Sequence, residues 1–90
     1  YRRDGSRRLM ARAGKLFDAI RANPKGVRVE DACRVARLLG FVHEGGRGSH
    51  RVFKRAGEPV QLNFQDRGGS IPPYQARQLA RMIERYGAVR

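Results

Sequence analysis

The chain contains a single cysteine, Cys33, so no disulfide can form within it. No group of cysteines and histidines has the spacing of a zinc site. Cys33 falls on the apolar face of a predicted helix, which indicates a small buried side chain in a reducing compartment rather than a reactive nucleophile. Disulfide-stabilised secreted domains and zinc modules are therefore not expected.

Long apolar segments are also absent. No run approaches the roughly 20 apolar residues that a membrane-spanning helix needs, and no signal peptide is visible, so we expect no insertion into a membrane. No internal repeat divides the 90 residues, and we predict a single domain over residues 1–90. A chain of this length buries only a modest core.

Acidic residues are scarce. The chain has 20 lysines and arginines but 8 aspartates and glutamates, which gives a formal net charge of +12. The surplus is evenly spread, since residues 1–45 hold eleven basic and five acidic residues and residues 46–90 hold nine and three. The folded body itself is therefore basic, and its expected partners are polyanions: RNA, DNA, an acidic membrane surface or an acidic protein. Seventeen of the cations are arginines, whose guanidinium forks bind phosphate in a bidentate way.

Apolar residues recur at helical spacing in the first half of the chain. The first helix is predicted from Leu9 to Ala22, with Ser6 as its N-cap. The second begins near Glu30 and Asp31, because acidic residues favour the first turn of a helix, and it ends before Gly40.

The apolar period then shortens to two, which predicts strands. The three predicted strands are Phe41–Glu44, Ser49–Lys54 and Val60–Gln65. A final helix begins at Pro72-Pro73, where proline is acceptable in the first turn, and ends at Gly87. The order is α-α-β-β-β-α, and we predict an α+β fold in which a three-stranded antiparallel meander carries helices on one face.

The most distinctive segment runs from Gly45 to Lys54 and reads GGRGSHRVFK. It places His50 at the start of a predicted strand, directly after a glycine-rich turn and close to several cations. Histidine is the side chain whose ordinary pKa lies nearest neutrality, so it gives or takes a proton at working pH. Cations around it would gather phosphates. The segment therefore predicts chemistry on a nucleic-acid backbone, or recognition of one.

Four segments together resemble the HicA toxins of bacterial type II toxin–antitoxin systems. They are Leu39–Phe41, Arg47–Phe53, Leu62–Gln65 and Pro73–Gln78. The most specific element is Gly48-Ser49-His50, at the family's distance from a C-terminal helix that opens with proline. The match covers about residues 24–90, so residues 1–23 form an N-terminal extension helix before the core. The resemblance implies a small fold similar to the double-stranded-RNA-binding domain (dsRBD).

The resemblance also implies a function. It implies a metal-independent endoribonuclease that cleaves mRNA, with His50 as the catalytic residue and no cofactor. It implies a HicB-like antitoxin protein as a partner and the bacterial cytoplasm as the location. The chain departs from many relatives at Arg51, where they carry a second histidine, at His43 and in its extra helix.

RNA supplies its own nucleophile, the 2′-hydroxyl, so a base and nearby cations suffice for strand cleavage. His50 is the candidate base. The cations expected to hold the scissile phosphate are Arg47, Arg51 and Lys54. Gly48 has no side chain, so a backbone amide there can approach the phosphate closely. Ser49 either donates a hydrogen bond to the substrate or orients the turn.

Two further predictions depend on spacing. If Gly45–Gly48 is a four-residue hairpin loop, His43 faces His50 and assists as a second acid or base. Three arginines recur every four residues on the last helix: Arg77, Arg81 and Arg85. This row is either a solvated helix face or a stripe that contacts RNA phosphates, and in the second case Arg77 and Arg81 bind substrate.

Other functions fit the same composition. A non-catalytic RNA-binding module of dsRBD-like fold needs the basic surface but tolerates loss of His50, which would then be an ordinary strand residue or a phosphate contact. An adaptor that docks an acidic protein needs only the charge. DNA binding by this chain alone is not expected, because no helix-turn-helix spacing is present. The glycine-serine-histidine motif favours the ribonuclease, since a binding module does not require a histidine at that place.

Overall fold

The computed structural model describes residues 13–87. They form an α+β domain of three helices and a three-stranded antiparallel sheet. In chain order the elements are α1 (residues 13–22), α2 (Val29–Leu38), β1 (Val42–Gly45), β2 (His50–Lys54), β3 (Leu62–Gln65) and α3 (Pro73–Tyr86). The predicted α+β class and antiparallel sheet are confirmed. The predicted N-cap Ser6 and helix start Leu9 lie outside the described residues.

The sheet is a meander with the strand order β1-β2-β3. One of its faces is apolar, because Phe53, Leu62 and Phe64 alternate with polar residues and have no exposed surface. The helices cover this apolar face, here called the helix-side face, and both α2 and α3 pack against β3. The opposite face, here called the open face, carries the exposed side chains of Asn63 and Lys54. The sheet therefore separates a covered surface from a wet one.

The two core helices begin and end where their sequences predict. Glu30 and Asp31 lie in the first turn of α2, where carboxylates oppose the positive end of the helix dipole. Gly40 follows α2 with φ +89°, a left-handed conformation that favours glycine. Pro73 opens α3, and Gly87 ends it by donating its N–H to the Ile83 carbonyl at 2.6 Å.

The first helix belongs to the folded body over its described length. Ile20 is buried in the same core as the apolar side chains of the other helices. Leu16 and Phe17 are partly buried and pack against that core. Cys33 is also buried, as predicted. The extension helix is therefore docked on the domain over residues 13–22.

β1 pairs with β2 as predicted, but the predicted register between them is wrong. His43 lies opposite Phe53 rather than His50, and a β-bulge between His43 and Gly45 places Gly45 opposite Val52. Gly45 and Val52 are the last paired residues of the hairpin, and Gly46 packs against the His50 carbonyl group. The difference moves His43 to the helix-side face, where its ring stacks on Phe53 with the centroids 5.1 Å apart. The two histidines therefore lie on opposite faces of the sheet, and the structure does not support a joint acid–base role.

A buried carboxylate ties the start of β3 to the end of α3. Glu58 accepts hydrogen bonds from the Tyr86 hydroxyl at 2.6 Å, the Val60 N–H at 2.9 Å and the Arg85 guanidinium at 2.6 Å. Together these donors hold the pKa of Glu58 at about 2, below its ordinary 4.5, although burial acts in the opposite direction. Because Val60 bonds to Glu58 instead of a neighbouring strand, β3 begins at Leu62, later than predicted.

Candidate functional site

The glycine-rich turn presents His50 as the exposed first residue of β2. The His50 N–H donates to the Arg47 carbonyl at 3.0 Å, which closes a tight turn, and Gly48 has φ +57° within it. Gly46 has φ +124°, and a side chain there would collide with the His50 carbonyl oxygen. The turn therefore depends on glycine at position 46 to set the start of β2.

Asn63 orients the imidazole of His50 on the open face. The pairing of β2 with β3 places the two residues diagonally, and His50 Nδ1 lies 3.3 Å from Asn63 Oδ1. With the amide oxygen as acceptor, Nδ1 carries the proton and Nε2 keeps the lone pair that a general base needs. Sequence reasoning missed Asn63, because the alternation over 62–65 places it on the wet face but does not give its register against His50.

Gln65 lies directly opposite His50 and brings a cation to the site. The Asp66 N–H donates to the Ser49 carbonyl at 2.8 Å, so Ser49 and Asp66 form a hydrogen-bonded pair. Pair types alternate along an antiparallel ladder, and His50 and Gln65 are therefore a non-hydrogen-bonded pair, the type in which the side chains lie closest. Gln65 Oε1 accepts a hydrogen bond from Arg67 Nε at 3.0 Å. The two terminal nitrogens of the Arg67 guanidinium remain as donors for an anion beside His50.

The loop after β3 holds Arg67 in place. The Arg67 N–H donates to the Ser70 carbonyl at 2.8 Å, and the Asp66 carboxylate accepts from the Gly69 N–H at 2.7 Å. The Gln65 N–H donates to the side-chain oxygen of Gln75, a buried residue near the start of α3, at 2.8 Å. Sequence reasoning missed Arg67, because its position depends on this loop rather than on a motif.

The structure brings some of the predicted substrate-binding residues to His50 and separates others from it. Arg47, Gly48 and Ser49 form the turn that leads into His50. Lys54 shares the open face but lies four residues along the strand, about 13 Å away at the usual rise, beside Glu44 at 3.8 Å. Arg77 and Arg81 are exposed on α3, which packs on the other face of the sheet.

Arg51 is on the helix-side face, because successive strand residues point to opposite faces. Its guanidinium lies 3.6 Å from the Cys33 sulfur and lines an open groove of about 470 Å³ beside α2. We call this the arginine groove; its lining residues are Glu30, Cys33, Arg34, Arg37, Leu38 and Arg51. The structure therefore places the neighbours His50 and Arg51 at two different surfaces.

Two other kinds of site are absent from the described residues. Within residues 13–87, no three histidine, cysteine, aspartate or glutamate side chains are grouped so that they could hold a metal ion. Among the helices that the structure describes, none is long and apolar enough to cross a membrane.

Comparison with known proteins adds no relative: no family model, no curated protein and no solved structure matches the chain. The resemblance to HicA toxins therefore stays a prediction from the residues that carry it. The geometry around His50 is therefore the basis for assigning a function.

Proposed function

We propose that this protein is a small endoribonuclease of the HicA type, the toxin of a type II toxin–antitoxin system, which cleaves mRNA without a metal ion. The observation that carries the proposal is the setting of His50 on the open face. Its Nδ1 is held by Asn63, so its Nε2 is left as a base, and Arg67 is hydrogen-bonded to Gln65, the residue directly opposite His50. A base and an anchored guanidinium are the two groups that phosphodiester cleavage by a 2′-hydroxyl requires.

The reaction transfers one phosphoryl group within the RNA. His50 Nε2 takes the proton of the 2′-hydroxyl, and the 2′-oxygen attacks the adjacent phosphorus. The bond from phosphorus to the 2′-oxygen forms as the bond to the 5′-oxygen breaks. The leaving 5′-oxygen takes a proton from the imidazolium or from water, which gives a 2′,3′-cyclic phosphate and a 5′-hydroxyl. Arg67 and backbone N–H groups of the turn oppose the charge that builds on the phosphate oxygens.

The proposal extends to the finer fold and the partners. The three-stranded meander with helices on one face is compatible with a dsRBD-like domain, the fold that the resemblance implies. We propose mRNA as substrate and a HicB-like antitoxin as the protein that neutralises the activity in the bacterial cytoplasm. The net charge of +12 supports both an RNA substrate and an acidic protein partner.

The direct test is cleavage of a long single-stranded RNA in EDTA by the wild-type protein and by His50→Ala and His43→Ala variants. His43→Ala is the matched control, because it removes the same side chain from the helix-side face. We expect cleavage at similar rates by the wild type and His43→Ala, and a rate lower by about 100-fold or more with His50→Ala. Equal RNA binding without cleavage by any of the three proteins would support the RNA-binding module instead. Cleavage by all three at similar rates would show that His50 is not the base.

A further inference from the structure

The arginine groove concentrates positive charge that the described part of the chain does not neutralise. Within residues 13–87, two arginines form ion pairs, Arg21 with Asp18 at 2.7 Å and Arg85 with Glu58 at 2.6 Å. Within residues 13–87, no ion pair is formed by any of the three groove arginines, which are Arg34, Arg37 and Arg51. Glu30 also lines the groove without pairing with them. Like charges that share a concave surface raise the local concentration of anions.

Two of these guanidinium groups are positioned by other contacts. Arg51 donates to the Cys33 sulfur, and the Arg37 guanidinium lies 5.5 Å from the centre of the Phe53 ring. Both contacts use groups of the buried core, since Cys33 and Phe53 are almost fully inaccessible. The groove is therefore a preorganised set of phosphate-binding forks rather than a collection of free side chains.

We propose that the arginine groove binds the sugar–phosphate backbone of the same RNA strand whose scissile phosphate lies at His50. This inference rests on the proposed function and adds a second part to the substrate site. His50 and Arg51 are consecutive residues that face opposite sides of the sheet. An RNA strand that contacts both residues therefore has to pass around the edge or the end of the sheet. The turn before His50 offers the route, because three of the four residues in 45–48 are glycines without side chains.

The lining of the groove favours RNA over a protein segment. Its apolar side chains are Leu38, which is 51% exposed, and Cys33, which is buried. This apolar surface suffices to pack against a single base or ribose but is too small for the apolar core of a protein interface. Guanidinium forks, in contrast, match phosphate in geometry as well as in charge. Arg51, which follows His50 in β2, also links the groove to the strand that carries the proposed reaction centre.

The test measures binding separately from cleavage. The probe is a fluorescein-labelled 2′-O-methyl RNA oligonucleotide, which lacks the 2′-hydroxyl nucleophile, and the readout is fluorescence anisotropy from about 50 to 200 mM salt. The test variant is Arg34→Gln with Arg37→Gln. The control is Lys15→Gln with Arg21→Gln, which removes the same charge from exposed positions of α1.

We expect the groove variant to bind more weakly and to lose about 1.4 from the slope of log affinity against log salt, because each single-strand phosphate contact contributes about 0.7. The control variant should keep the wild-type slope. Equal losses in both variants would show that the RNA responds only to overall charge, and an unchanged slope in the groove variant would also overturn the inference.

Polyglutamate of matched charge is the second probe. If the groove variant loses binding to polyglutamate but keeps binding to RNA, the groove is a site for an acidic protein and the inference is overturned. The proposed function fails by a different result, namely wild-type protein that does not cleave unmodified RNA in EDTA. In that case a reduced salt slope in the groove variant would still place RNA in the groove.

Discussion

The two faces of the sheet differ most at the start of β2, where consecutive side chains enter opposite surroundings. On the open face, His50 lies among the amide side chains of Asn63 and Gln65, with one anchored guanidinium, that of Arg67. On the helix-side face, Arg51 joins two more arginines in a groove. The first setting fits proton transfer and the second fits the binding of phosphates.

This difference changes the interpretation of the motif. Residues adjacent in sequence look like parts of one site, and His50 and Arg51 were expected to act on the same phosphate. The pleat of a strand separates them, so the motif provides one residue to each face. Chemistry and substrate binding should therefore respond to mutation independently, and the following predictions use that independence.

The largest effect among them is expected at Arg67. Arg67→Gln should lower kcat by about 100- to 1000-fold, the usual loss when a donor to a transition-state anion is removed, while KM changes less than about threefold. Arg67→Lys should recover part of the rate, since it keeps the charge without the fork. Steady-state cleavage of a short oligonucleotide measures both constants. A change confined to KM would show that Arg67 contributes to RNA binding and not to the chemical step.

Gly46→Ala should lower kcat by about 100-fold, the scale expected when a reacting group is displaced by about 1 Å. The new methyl group would meet the His50 carbonyl at a φ that disfavours any side chain. Gly45→Ala is the control, because an added methyl there has no atom within 4 Å. Binding of the 2′-O-methyl oligonucleotide should be unchanged in both. Equal rates in the two variants would disprove the role of Gly46.

A smaller effect is expected at Glu30, the acidic residue of the arginine groove. Glu30→Gln should tighten binding of the 2′-O-methyl oligonucleotide by about two- to fivefold, because it removes a negative charge that repels the RNA phosphates. Glu84→Gln on the exposed side of α3 makes the same change in net charge and should have less effect. Equal tightening in both would argue against RNA in the groove.

The buried carboxylate of Glu58 gives a prediction about how stability depends on pH. Glu58 belongs neither to the site at His50 nor to the arginine groove, so this effect concerns folding alone. Because the pKa of Glu58 is lowered to about 2 from 4.5, its stabilising contribution is complete above pH 4.5 and is lost as the pH falls toward 2. Glu58→Gln removes that titration, so its denaturant midpoint should fall less than the wild-type midpoint over this range. Parallel curves for the two proteins would contradict the assigned pKa. Activity assays above pH 4.5 are therefore free of this effect.

Much of the fold follows from periodicity in the sequence. The change from helical spacing to alternation predicts the sheet, and Gly40 and Gly87 mark helix ends because they follow the last apolar positions. The β1–β2 register does not follow, since it depends on a bulge and on the contact between Gly46 and the His50 carbonyl. Such contacts are set by backbone geometry that residue types alone do not specify.

The candidate site was predictable in part. His50 stands out because of its motif, and strand alternation by itself predicts that Arg51 points to the other face. Asn63 and Arg67 were not predictable, because one requires the register between β2 and β3 and the other requires the loop after β3. Residues that act through cross-strand contacts leave no local pattern in the chain.

The most direct test of the division between the two faces is the pair of kinetic constants for His50→Ala and Arg51→Gln. The account predicts that His50→Ala lowers kcat by about 100-fold or more, the range for loss of a general base, with little change in KM. It predicts that Arg51→Gln raises KM about tenfold, roughly the 1.4 kcal/mol of one charge-assisted hydrogen bond, and leaves kcat within about threefold of wild type. Loss of kcat in Arg51→Gln comparable to that in His50→Ala would show that both residues act at the reacting phosphate, and would contradict the account.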